Sequence, residues 1–144
     1  MSNRYTLKVY PKGRGREVYR VIEVSGQDNL EDLCSSILDA FEFDFDHLYE
    51  FNFGGSLSDR SCIVEYEPYE EDSPTKIALD KCGLFKGRKF TLLYDYGDCW
   101  VFCINVQKVE EELDYQPSLT TKEKGKLEQY PDYDDDWEDD EEEE

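Results

Sequence analysis

The stretch Leu92–Val106, LLYDYGDCWVFCINV, sets two runs of aliphatic and aromatic residues on either side of a short acidic turn. Apolar alternation on both flanks reads as two strands, Lys89–Asp95 and Cys99–Lys108, joined as a hairpin. Trp100, Phe102, Ile104 and Val106 share one face of the second strand, with Phe90, Leu92 and Tyr94 on its partner. Leu93, Val101 and Cys103 make the opposite face apolar too, so the hairpin is expected at the centre of a sheet and covered on both sides. The turn itself, Asp95-Tyr96-Gly97-Asp98, has a structural reading. Gly97 supplies a positive φ, and Asp95 and Asp98 bond nearby amides. A chemical reading makes the two carboxylates an acid–base or metal-binding pair. That needs a base, a nucleophile or an arginine clamp, and none is adjacent. The structural reading is the stronger.

Outward from the hairpin, RYTLKVY (4–10) and EVYRVIEV (17–24) alternate apolar and polar positions around the turn-forming PKGRGR, and predict an antiparallel hairpin. Leu30, Leu33, Cys34, Ile37, Leu38 and Phe41 then follow helical spacing, with Asn29 as N-cap and Asp32 placed for a capping box. Short strands are expected around Leu48–Phe53 and in SCIVEYE, followed by a polar connection, PYEEDSPT. KIALDKCGLFKG suggests one or two helical turns with Gly83 as C-cap, and periodicity fades after Gln107 into an irregular segment. The expected class is α+β: a mixed, largely antiparallel sheet of about six strands, with a β-grasp-like β-β-α start, one main helix and a short one.

Charge is the main bulk property. The chain has 144 residues and a formal net charge of −20. Residues 131–144, PDYDDDWEDDEEEE, hold 11 of the 36 acidic residues and none of the 16 basic ones, which leaves residues 1–130 at −9. A block of like charges repels itself, so 131–144 is expected to be a disordered acidic tail beyond a single domain, 1–130. The acidic body argues against direct nucleic-acid binding, where Lys and Arg must replace counterions. No signal-like or membrane-length apolar run is present, which favours the cytoplasm and no membrane contact. The five cysteines are then expected as reduced thiols, since Cys99 and Cys103 lie about 13 Å apart on one strand.

Two further clusters carry alternatives. Asp44, Asp46, His47 and Glu50 in DFDHLYE can ligate a cation, but lack the glycine of an EF-hand loop, and His47 is the single histidine. A strand-start histidine bonded to backbone or carboxylate is the simpler reading. Lys12, Arg14 and Arg16 form a basic hairpin tip that can meet an acidic partner or the chain's own tail. Its glycines do not make a phosphate loop, and no Gly-x-Ser-x-Gly or Cys/His pairing stands out.

Three segments, EVYRVIEVSGQDNLEDLCSSILDAFEFDFDHLYEF, LFKGRKFTLLYDYGDCWVFCINV and PSLTTKEKGKLEQYPDY, together resemble the plasmid pRiA-type ORF-three-like family, also labelled TnpR-like transposon passenger proteins. Tyr19, Arg20, Leu30, Leu33, Ile37, Ala40, Phe41 and His47 fall on its pattern. So do Leu48, Phe51, Tyr94, Asp95, Gly97, Asp98 and Trp100. Cys34 stands where the family often has His, Phe43 where it has Trp, and Val101-Phe102-Cys103 where it often has Arg-His-Glu. Should those polar residues form a site in other members, His47, Asp95 and Asp98 are what this chain keeps of it. The resemblance implies an α+β domain linked to mobile DNA. Recombinase chemistry needs a nucleophilic Ser among several Arg, and that pattern is not visible. The expectation is a cytoplasmic, non-enzymatic module that binds an unknown protein partner and uses no cofactor or metal. The alternatives are a metal-binding or hydrolase-like site at His47, Asp95 and Asp98, and an acidic decoy for a basic nucleic-acid-binding protein.

Overall fold

Seven strands form one sheet in the computed structural model, which describes residues 2–54, 61–69, 71–127 and 129. The strands are β1 (Ser2–Pro11), β2 (Tyr19–Ser25), β3 (Tyr49–Asn52), β4 (Ile63–Glu65), β5 (Lys89–Tyr94), β6 (Trp100–Glu112) and β7 (Leu119–Lys124). Their spatial order is β4-β3-β5-β6-β1-β2-β7. Helix α1 (Leu30–Ala40) follows β2, so the chain opens strand, strand, helix. Its capping box is complete: Asn29 Oδ1 accepts from the Asp32 amide at 2.8 Å, and Asp32 Oδ2 accepts from the Asn29 amide at 3.0 Å. Leu30, Leu33, Cys34, Ile37 and Leu38 form its buried stripe. The chain turns away at Glu42, whose φ of 62° lies in the left-handed region.

The core lies between α1 and one face of the sheet. Tyr5, Leu7, Val9, Ile22, Val24, Phe51, Phe102, Ile104 and Val106 point into it and are almost wholly buried. No helix among the described residues is long and apolar enough to cross a membrane.

Four expectations are corrected. The sheet is not mixed: each strand pairing among the described residues is antiparallel. A seventh strand, β7, occupies part of the segment expected to be irregular. Its sequence, LTTKEK, has no apolar alternation because it is an exposed edge strand held by its pairing with β2. The short helix is two 3-10 turns, Pro74–Lys76 and Leu79–Lys81, separated by extended backbone at Ile77 and Ala78. Gly83, with φ of 73°, closes the second turn. Finally, among the described residues β5 and β6 are central but covered on one side: α1 packs on the Phe102 face, while Leu93, Val101 and Cys103 stay half-buried on the other. The acidic tail expected at 131–144 lies outside the described residues.

Candidate functional site

Tyr94 ends β5 with its ring buried, and its hydroxyl organises the loop before β3. It donates to the Asp44 carbonyl and accepts from the amides of Asp46 (2.8 Å) and His47 (3.2 Å). Burial pushes this hydroxyl up to about 12, and the Asp46 carboxylate beside it adds to the rise. His47 is thereby held over the hairpin turn. Its Nε2 lies 3.4 Å from Asp95 Oδ2 and 3.3 Å from Asp46 Oδ1.

Asp95 is buried and shapes that turn. Its Oδ1 accepts from the amides of Gly97 (3.0 Å) and Asp98 (3.3 Å), and its carbonyl accepts from the Cys99 amide at 2.6 Å. The left-handed residues are Asp95 (φ 66°) and Cys99 (φ 55°). Gly97 is not among them, which corrects the expectation that it supplies the positive φ. A Cβ on Gly97 would lie 3.3 Å from Asp95 Oδ1, so its small size leaves room for the carboxylate. The structure thus brings His47 and Asp95 together, while Asp98 joins through its backbone N–H and keeps an exposed side chain. Of the other signature residues, Phe51 is core, Trp100 packs edge-on against Phe43 at 4.9 Å, and Leu48 is half-exposed. Among the described residues, no three His, Cys, Asp or Glu side chains form a group that could hold a metal ion.

Leu48 leads into a groove that sequence reasoning missed. It has a volume of about 530 Å³ and is lined by Leu48, Tyr66, Pro68, Tyr69 and Tyr96, with Glu65 and Glu67 at its rim. The Tyr66 ring stacks on Tyr49, with centroids 4.9 Å apart and planes at 8°. The Tyr96 hydroxyl donates toward Glu65 Oε2 (3.2 Å) and Glu50 Oε1 (3.4 Å). Burial and these two carboxylates raise it above its ordinary range. Tyr69 is 97% exposed, an unusual position for so large a ring. The available signal was the Tyr/Glu repeat around Pro68 in EYEPYE, which reads as a polar connection when strand periodicity is the guide.

The fold is similar to that in a crystal structure of a protein of unknown function, MM3350 from Methanosarcina mazei Go1. The TM-score is 0.67 at 20% sequence identity, over 85% of this chain and 70% of that one. No curated protein matches the chain. Residues 3–132 match plasmid pRiA4b ORF-3-like proteins, over the same segments that carry Tyr94, Asp95, Gly97, Asp98 and Trp100. The chain belongs to the plasmid pRiA4b ORF-3-like protein family.

Proposed function

We propose that this chain is a non-enzymatic cytoplasmic module that binds a protein segment presenting Lys or Arg beside an apolar residue. The observation that carries the reading is the Tyr66–Tyr69–Tyr96 groove, where aromatic faces and carboxylates meet. Ring faces attract cations, and the neighbouring glutamates add charge complementarity. The five cysteines, all free, suit a reducing compartment. Short Lys- and Arg-containing peptides, screened against the full chain at about 0.15 M salt, are expected to include binders. Tyr69→Ala and Glu67→Gln should each weaken them about tenfold, or about 1.4 kcal/mol. Binding that survives both substitutions would sink the proposal.

A second reading rests on the 3.4 Å His47–Asp95 contact, in which a carboxylate orients an imidazole as in acid–base or metal sites. Zinc titration of the full chain beside His47→Ala tests it. Identical weak binding by the two removes the metal form of that reading.

A further inference from the structure

From β5 to β7, the face of the sheet away from α1 carries more cations than carboxylates, the reverse of the chain as a whole. Along one cross-strand row, Lys89 lies opposite Asn105, Asn105 opposite Lys8, Lys8 opposite Val21, and Val21 opposite Lys122. Three lysines thus sit on alternate strands, about 10 Å apart at about 4.8 Å per strand. Lys124, opposite Tyr19, extends the row's cationic border, and the hairpin tip adds Lys12, Arg14 and Arg16. Two grooves of about 490 and 430 Å³ open onto this face and share Lys8 as a wall. The Lys8 Nζ stands 4.7 Å from the Tyr19 ring centroid and 5.9 Å from that of Tyr10, so the floor is aromatic as well as basic. The carboxylates of this face lie around the row: Glu23 and Glu112 pair with Arg4, Glu110 with Lys108 and Glu17 with Arg14, while Glu50 and Glu65 lie on β3 and β4, beyond Lys89.

We propose that this basic face is the docking site of the chain's own acidic segment, residues 131–144. Charge complementarity favours it: the segment holds 11 carboxylates and no cation, together with Tyr133 and Trp137, which suit a tyrosine-lined floor. Geometry also favours it. Gly125 packs against Glu17 and Val18 at the base of the basic hairpin, and Gln129 is tied to Asp44 by hydrogen bonds of 2.7 and 3.2 Å. The 15 residues after Gln129 reach about 50 Å when extended, whereas the strands from β5 to β7 span about 19 Å. An extended peptide advances about 10 Å in three residues, the spacing of the lysine row. The docked segment would screen the chain's cations from external polyanions.

Carbodiimide cross-linking of the dilute full chain, mapped by mass spectrometry, tests this. Monomer-mass links from residues 131–144 to Lys8, Lys89 or Lys122 are expected. They should fade at about 0.5 M NaCl, where the Debye length falls to about 4 Å, and in the folded double variant Lys8→Glu/Lys122→Glu. Links found equally at Lys76, Lys81 and Lys86, links found only in dimers, or no links at all would overturn the proposal. A second readout is Trp137 fluorescence in Trp100→Phe. Its emission should shift to the red in high salt, and an emission indifferent to salt would also overturn docking.

Discussion

Asp95 adopts a left-handed backbone that costs most L-residues about 1–2 kcal/mol, but Asp and Asn offset part of that by local hydrogen bonding. Its Oδ1 meets the Gly97 and Asp98 amides, so one side chain both stabilises the turn and faces His47. Asp95→Ala removes these bonds and leaves the strained φ, and is expected to cost about 2 kcal/mol in urea unfolding. Asp95→Asn keeps an acceptor and a residue tolerant of that φ, and should cost under about 1 kcal/mol. Equal losses would show that the turn does not depend on the Asp95 acceptor. From sequence, Asp95 and Gly97 were legible as turn residues, but their division of labour was not. Which residue takes the positive φ depends on how β5 and β6 are staggered around the turn.

Arg20 shows how elements are joined. It is buried on β2 at 3% exposure, with its guanidinium 4.7 Å over the Phe41 ring at the end of α1. Nε donates to the Ala40 carbonyl at 2.8 Å. Nη1 donates to the carbonyls of Tyr19 (2.8 Å) and Lys124 (2.9 Å), and Nη2 to that of Gly125 (3.0 Å). One planar fork thus closes the helix end, strand β2 and the exit of β7. Lysine cannot reproduce several fixed donors, so Arg20→Lys is expected to destabilise by about 2–3 kcal/mol. Amide exchange should rise most along β7, and unchanged protection there would contradict the joint. The strand pattern around Arg20 was readable from sequence. Its contact with residues 104 and 105 positions away was not, since β7 has no periodic signature of its own.

At the scale of the molecule, Glu112 gathers three strands and the approach to a fourth. Its carboxylate accepts from Ser2 Oγ (2.9 Å), Ser25 Oγ (2.6 Å) and Arg4 Nη1 (3.2 Å). Arg4 in turn donates to the carbonyls of Gln116 and Pro117. Burial alone would raise the Glu112 carboxyl, but hydrogen bonds from Ser25, Ser2 and Arg4 outweigh it and hold the group below its ordinary value. The folded chain therefore binds this proton less readily than the unfolded chain does. The stabilisation is complete above about pH 5 and fades as pH falls through the folded value. Glu112→Gln is expected to cost about 2 kcal/mol at pH 7, and the difference from the parent should shrink toward pH 3. A difference constant across that range would refute the linkage. Asp28, raised by burial despite its bond from Tyr115, acts in the opposite sense, so the comparison must be between variant and parent.

The sequence by itself determined the helix with its capping box, the two apolar hairpins, the family and the concentration of negative charge in residues 131–144. Each of these is written in neighbouring residues, as period, cap or composition. Only the tertiary structure decided the antiparallel order of the sheet, the seventh strand, the pairing of His47 with Asp95, and the two surfaces of opposite charge. The Tyr/Glu groove and the lysine row unite residues far apart in the chain. Strand register sets which side chains stand beside one another across a sheet, and no local pattern encodes that register.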